Sequence, residues 1–324
     1  MSKFINPFVD FGFKYIFGRE ESKIFLIDFL NALLENEPGF SPIVDIKYRD
    51  KEIIRHTFVE RGIIFDIHCE TADGRLFTVE MQNSHQVFFQ DRLIYYASRT
   101  VVEQGKSGKD WYYEYMPVYT VAFMNFELPH LKGRFRVDAG ICDIATNELI
   151  SDKLRFILLQ LPNFDKRENE SQCHTRLDKW IYNIVNMTSM ERLTFTHEGN
   201  LFQHLEDVVS YASLSEKDRR QYDADLKAYR DYYGTLKSAS ILGRAEGRAE
   251  GRAEGRAEGR AEGRAEGRAE GRAEGRAEGR AEGKTEERMA LITSMYNQGL
   301  EISLIAKIVN SSEDEVKNIL GIVL

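Results

Sequence analysis

Two carboxylates in one short stretch of predicted β-structure are the residues best placed to do chemistry. The segment FDIHCETADGRLFTVEMQ (65–82) reads as two strands around a turn, with Asp66 and Glu80 inside the strands and Gln82 just beyond. Strand interiors disfavour carboxylates, and like charges directly opposite each other destabilise a sheet. A divalent cation, which binds carboxylate oxygens, is the simplest candidate to offset this cost.

The turn decides whether the two carboxylates meet. A two-residue turn would pair Ile67 with Glu80 and scatter polar groups over both faces. A three-residue loop (72–74), with Gly74 in the left-handed region, pairs Asp66 with Glu80 instead. The two faces then carry Phe65, Ile67, Cys69, Phe77, Val79 and Met81 on the apolar side and Asp66, His68, Glu70, Thr78, Glu80 and Gln82 on the polar side. Because the alternation resolves only in this register, we expect the three-residue loop.

Length and composition bound the class of protein. The chain has 324 residues, of which 42% are hydrophobic and 30% charged, as expected of a soluble globular protein with one good core and a smaller second unit. A net charge of −8 argues against sequence-blind coating of nucleic acid, although a metal and a local basic patch could still meet phosphates. The three scattered cysteines and the lack of a long apolar run predict a cytoplasmic protein without a disulfide framework, signal peptide or membrane span.

Hydrophobic periodicity places these residues on an α/β framework. The predicted helices cover residues 6–18, 22–36, 90–105, 152–161 and 177–190. Asn6-Pro7 is expected to open the first of them, with Asn6 as cap. The predicted strands cover 43–50, the hairpin 65–82 and the buried central strand 117–126. The order of helices and strands predicts a mixed sheet, followed by a mostly helical stretch from residue 150 to 236.

The hairpin and its flanking segments resemble a known family. An Asp, a short hairpin, Glu-x-Gln and a following helix resemble the PD-(D/E)xK nuclease superfamily. The segments NPFVDFGFKYIFG, GIIFDIHCETADGRLFTVEMQ, DRLIYYASR and PVYTVAFMNF resemble its Rpn-type branch, recombination-promoting nucleases often labelled as transposases. The resemblance covers about residues 3–300.

The resemblance implies a role for each matching residue of the hairpin. Asp66 and Glu80 would be ligands of Mg²⁺ or Mn²⁺, helped by the backbone carbonyl of Met81. Gln82 stands where the superfamily usually has a lysine. A glutamine can orient a water by hydrogen bonding, so that activation of the water would rest on the metal. If that is its whole role, Gln82→Lys should retain or raise activity. The alternative for the carboxylates is a solvated sheet face without metal.

Four residues outside the hairpin are further candidates. The resemblance implies that Asp10 adds an acidic group from the first helix and that Lys14, one turn later, contacts a phosphate. Arg92 and Tyr96 on the following helix would steady the phosphate or the metal shell. The alternatives are a simple helical ion pair for Asp10 and Lys14, and ordinary surface and core positions for Arg92 and Tyr96.

The last quarter of the chain, from residue 243 onward, differs in composition from the rest. Residues 243–282 are ten copies of GRAE, followed by GKTE. At i+4 every residue meets its own kind, and each glycine costs about 1 kcal/mol in a helix, so the tract predicts a weakly helical or flexible spacer rather than a coiled coil. Residues 287–324 have helix–turn–helix spacing around Gly299. The acidic start of the last helix, SSEDEVKN, favours protein–protein contact over DNA readout.

These observations give one predicted architecture and two predicted functions. The expected parts are a PD-(D/E)xK-like domain (1–150), a mostly helical extension (151–236), the GRAE spacer (243–286) and a helix-turn-helix-like C-terminal unit (287–324). The first function is a metal-dependent DNA endonuclease linked to recombination, mobile elements or phage defence. The alternative is a weak or inactive nuclease fold that binds a protein partner, or a second copy, through 287–324. Strand transfer, which the transposase label would suggest, finds no support in the residues.

Overall fold

The computed structural model of the protein describes residues 2–49, 52–53, 63–64, 66–108 and 111–322. The predicted strand positions Asp50 and Phe65, and the last two residues of the predicted C-terminal unit, lie outside the described residues. The chain forms two compact units, Met1–Gly234 and Thr235–Leu324.

A six-stranded mixed sheet is the centre of the first unit. The described ranges contain eight strands, six of which form this sheet: β1 (Ile46–Tyr48), β2 (Glu52–Ile53), β3 (Ile63–Ile64), β4 (Ile67–Thr71), β5 (Leu76–Gln82), β6 (Val118–Met124), β7 (Arg136–Cys142) and β8 (Leu149–Gln160). The large sheet has the order β1-β4-β5-β6-β8-β7, and β2 pairs with β3 separately. β6 runs parallel to β5 and β8, whereas β1, β4 and β5 pair antiparallel with one another in turn, as do β7 and β8. The predicted buried central strand over 117–126 is confirmed as β6.

Helices cover both faces of this sheet. The α-helices of the described ranges are α1 (Asp10–Phe17), α2 (Lys23–Leu34), α3 (Phe89–Glu103), α4 (Arg176–Asn186), α5 (Asn200–Val209), α6 (Glu216–Asn297), α7 (Ile302–Ile308) and α8 (Glu313–Leu320), and of these α1 to α5 cover the sheet. One face packs Val79 and Phe123 against an aromatic core from α1, α2, α4 and α5 that surrounds the fully buried Trp180. The other face packs Ala122 against Phe89 and Leu93 of α3. The predicted α/β fold with a mixed sheet between helices is confirmed.

The predicted register of the β4–β5 hairpin is confirmed. Gly74 has φ +86, and Thr71 N–H donates to the Arg75 carbonyl at 2.9 Å across the three-residue loop. Ile67 pairs with Val79, the same register that places Asp66 opposite Glu80. A left-handed residue is needed at the third loop position, and glycine adopts that conformation without steric cost.

The predicted helix over 152–161 is wrong, because this segment is the end of β8. The segment contains the continuous apolar run FILL (156–159), and periodicity alone cannot separate a strand buried on both faces from a buried helix. β8 lies between β6 and β7, and its last residues, from Ile157 onward, are buried. The predicted helix over 177–190 is confirmed as α4, which begins one residue earlier and ends at Asn186.

The first helix begins later than predicted. Asn6 does not cap α1; its Oδ1 accepts a hydrogen bond from Phe8 N–H at 2.9 Å and closes a turn, and α1 begins at Asp10. The turn folds back on the helix, since a Cβ atom at Gly12 would lie 2.1 Å from the Asn6 carbonyl oxygen. The chain therefore reverses at residues 6–9 instead of continuing as a first helical turn.

The GRAE tract is helical throughout, not a flexible spacer. It lies inside α6, and all of residues 243–282 are exposed. Arg, Ala and Glu are among the best helix formers, and helix on both sides of the tract removes the cost of nucleation. No helix in the described part of the chain is both long enough and apolar enough to cross a membrane.

The C-terminal unit has a small core of its own. The end of α6 contributes Ile292, which packs with Ile305 and Ala306 of α7 and Val316 of α8. Gly299 has φ +83 at the predicted turn, and Ser312 and Glu315 form a capping box at the start of α8.

Candidate active site

Asp66 and Glu80 lie side by side at one end of the sheet. Asp66 directly precedes β4, and Glu80 is near the end of β5. The Asp66 backbone N–H donates to Glu80 Oε1 at 3.3 Å, and Met81 N–H donates to Asp66 Oδ2 at 3.0 Å. The backbone of each strand therefore fixes a carboxylate of the other strand.

Glu80 is buried rather than solvated. Its side chain shares a sheet face with Ala122, its partner on β6, and this face is covered by α3, so that Glu80 is only 4% exposed. Burial, followed by the negative charge of Asp66, raises the pKa of the Glu80 carboxyl to about 8. The Asp66 N–H, Arg92 and Lys14 act in the opposite direction but do not outweigh these two causes. The alternative of a solvated sheet face is therefore wrong for Glu80.

Lys14 brings α1 to the same carboxylates. Its Nζ lies 2.6 Å from Asp10 Oδ1 and 3.8 Å from Asp66 Oδ1. Burial lowers the pKa of Lys14, but the carboxylates of Asp10, Asp66 and Glu80 outweigh that effect and leave its pKa raised. The predicted i,i+4 ion pair is present, and Lys14 in addition faces the carboxylate pair.

Gln82 connects Glu80 to Arg92 on α3. Its Nε2 donates to Glu80 Oε2 at 3.3 Å, and its Oε1 accepts a hydrogen bond from Arg92 Nη2. Arg92 also donates from Nη1 to Gln86 Oε1 at 2.7 Å. The guanidinium lies 5.9 Å from the centre of the Tyr96 ring, which gives Tyr96 an indirect place at the edge of the site. The amide of Gln82 is therefore held between a carboxylate and a guanidinium.

The donor atoms of this site fit a hard divalent cation. Asp66 and Glu80 offer carboxylate oxygens, and Lys14 already places one cationic group against Asp66. The N–H and C=O groups of one residue in an extended strand point to the same side, so the Met81 carbonyl faces the side on which its N–H meets Asp66. Oxygen ligands of this kind suit Mg²⁺ or Mn²⁺. In the described ranges no group of three or more His, Cys, Asp and Glu side chains could hold a metal, so water or substrate would have to complete the shell.

All eight predicted site residues are connected in the structure. They form one network of contacts that runs from Asp10 through Lys14 to Asp66, which bonds to both Met81 and Glu80, and on from Glu80 through Gln82 and Arg92 to Tyr96. Gln86, which holds Arg92, was not predicted. It lies in the segment between β5 and α3, and no residue pattern there marks it.

The comparison with protein families decides which family this geometry belongs to. The family model described as PD-(D/E)XK nuclease family transposase matches residues 7–239. The chain belongs to this family. No curated protein and no solved structure gives a significant match to the chain. Membership confirms the predicted family, and the mixed sheet flanked by helices agrees with the PD-(D/E)xK nuclease fold.

Proposed function

We propose that the chain is a divalent-metal-dependent endonuclease that hydrolyses phosphodiester bonds of DNA. The pairing of Asp66 with a buried Glu80, whose pKa is raised, is the observation that carries the proposal. Two adjacent carboxylates destabilise a fold unless a proton or a cation neutralises one of them, and a bound divalent cation would replace the proton that the raised pKa leaves on Glu80. Family membership supports the same reaction class.

The other residues of the site support this reaction through charge and orientation. A divalent ion held by Asp66, Glu80 and the Met81 carbonyl would polarise the phosphate and lower the pKa of a bound water. Gln82, whose amide is fixed by Glu80 and Arg92, orients the attacking water by hydrogen bonding.

Positive charge is available on both sides of the carboxylate pair. Lys14, at 3.8 Å from Asp66, contacts the phosphate on the α1 side, and the acid of Asp10 holds it there. Arg92 supplies a guanidinium beside Gln82, the residue that stands where the superfamily usually has a lysine. Tyr96, next to the Arg92 guanidinium, steadies the phosphate or the metal shell. Two cationic groups therefore flank the position that a scissile phosphate would occupy.

Purified protein incubated with plasmid and Mg²⁺ or Mn²⁺ tests this proposal. We expect nicking or linearisation that needs the ion and disappears in Asp66→Ala and Glu80→Ala. Glu70→Ala is the matched control, because Glu70 lies on β4, the strand that Asp66 precedes, and forms an ion pair with Arg49 at 3.9 Å. Equal activity in the wild type and the Asp66 and Glu80 variants would mean that a contaminant cuts the plasmid. A single-stranded RNA of matched length shows whether DNA is the preferred substrate.

The C-terminal unit is proposed to bind protein rather than DNA. Glu313, Asp314 and Glu315 form the first turn of α8, where phosphates would be repelled. Apolar side chains remain exposed in this unit, including Leu304 at 49% and Ile308 at 52%. Sedimentation of the full chain shows whether the protein partner is a second copy of the chain. If the chain self-associates, the double variant Leu304→Ser with Ile308→Ser should weaken that association. A role in recombination, mobile elements or phage defence, and the cytoplasmic location, stay predictions from the sequence.

A further inference from the structure

A tyrosine near the start of α6 joins the chain segments that carry the candidate site. The Tyr233 hydroxyl donates to the Asn83 carbonyl oxygen at 2.6 Å and accepts from Asn125 Nδ2 at 3.4 Å. Asn125 N–H in turn donates to the Gln82 carbonyl oxygen at 2.8 Å. One hydroxyl therefore connects the residues that directly follow β5 and β6.

The same connection reaches α1. Asn83 Nδ2 donates to the Phe8 carbonyl oxygen at 2.6 Å. Two residues later α1 begins at Asp10, and it carries Lys14 to the carboxylate pair. The Tyr233 hydroxyl is thus bonded to two asparagines, of which Asn125 holds the Gln82 carbonyl and Asn83 holds the chain just before α1.

Packing leaves the Tyr233 hydroxyl little freedom. The Tyr233 ring is half-buried, with its centre 4.8 Å from the Tyr229 ring and 6.3 Å from the Tyr232 ring, which meets it edge-on. The Tyr232 hydroxyl forms a second hydrogen bond to the same loop, at 2.8 Å from Ser84 Oγ. A ring fixed in this way can transmit the position of α6 to residues 82–84.

We propose that Tyr233 is a positioning residue for the candidate active site. Its hydroxyl holds the end of β5 so that the Gln82 amide stays between Glu80 and Arg92. Tyr233 acts through Asn83 and Asn125. The inference deepens the proposed nuclease function and rests on it for its effect on turnover.

Tyr233→Phe removes the hydroxyl and keeps the ring, which makes it the informative variant. We expect kcat for plasmid cleavage to fall about tenfold, equivalent to about 1.4 kcal/mol, with KM changed less than about twofold. Amide hydrogen exchange in residues 82–86 should become several-fold faster. Tyr211→Phe is the matched control, since its hydroxyl donates to Asp223 at 3.0 Å, outside this network.

A second variant guards against a purely structural effect. Asn125→Ala removes the donor to the Tyr233 hydroxyl, and the double variant should lose no more kcat than Tyr233→Phe alone, because both act through one connection. Tyr233→Phe with wild-type exchange in 82–86, or with faster exchange but unchanged kcat, overturns the inference. If the wild type does not cleave at all, the proposed function fails, and the exchange rates alone then decide whether Tyr233 fixes this loop.

Discussion

Replacement of Glu80 by glutamine should change how the stability of the metal-free protein depends on pH. The pKa of Glu80 is raised from 4.5 to about 8 in the folded protein, mainly by burial. Between those two values the folded protein holds a proton on Glu80 that the unfolded chain has released. The free energy of unfolding of the wild type therefore falls as the pH rises through this window, whereas glutamine cannot titrate.

The size of the effect follows from one proton. A difference of one bound proton changes the free energy of unfolding by about 1.4 kcal/mol per pH unit. Between pH 5.5 and 7.5 the wild type should therefore lose about 2 to 3 kcal/mol relative to Glu80→Gln. Below the unfolded-state pKa the effect is absent, because both states are then protonated.

Denaturant unfolding in the presence of a chelator measures this difference. Trp180 is fully buried and belongs, like Trp111, to the first unit, so tryptophan fluorescence reports the unfolding of the unit that contains Glu80. Subtracting the Glu80→Gln curve removes the contribution of titrating groups remote from Glu80. Mg²⁺ or Mn²⁺ at pH 7.5 should restore stability to the wild type more than to the variant, because a bound ion replaces the proton. Parallel pH profiles of the two proteins would refute the reasoning.

Three further outcomes are expected. Gln82→Lys should lower kcat at least about tenfold, because the new ammonium would face Arg92; this is contrary to the expectation from the superfamily pattern. Adding Arg92→Gln should restore activity, and a failure to restore it would exclude charge repulsion as the explanation. Deletion of two GRAE units should change plasmid cleavage less than about twofold, since the exposed tract contacts no core, and loss of cleavage would place the tract in the catalytic structure. Of the three thiols, only the exposed Cys142 should react rapidly with a thiol reagent, because burial raises the pKa of Cys69 and Cys173. A count of three fast-reacting thiols would contradict this.

Local patterns predicted the hairpin and most of the helices that surround the site. The register of β4 and β5 followed from strict alternation and from one glycine that tolerates a positive φ, both of which are readable in the chain itself. The turn at Gly299 and the start of the last helix at SSEDEVKN were predicted for the same reason. Such signals depend on a few neighbouring residues, so tertiary packing does not alter them.

Patterns that several environments can satisfy did not predict the structure. The segment 152–161, with the apolar run FILL at 156–159, suits a helix or a strand buried on both faces, and only its place between β6 and β7 makes it β8. Charge spacing predicted a poor helix for the GRAE tract, but continuity with helix on both sides prevailed.

The sequence by itself determined which residues could do chemistry, and the tertiary structure decided what surrounds them. The types and spacing of Asp66, Glu80 and Gln82 were sufficient to predict a carboxylate pair with an adjacent amide. The burial that raises the pKa of Glu80, and the guanidinium of Arg92 against Gln82, arise because α3 packs over that face of the sheet. Contacts between residues distant in the chain, such as Tyr233 with Asn83, leave no local pattern, since their geometry exists only after the elements have packed.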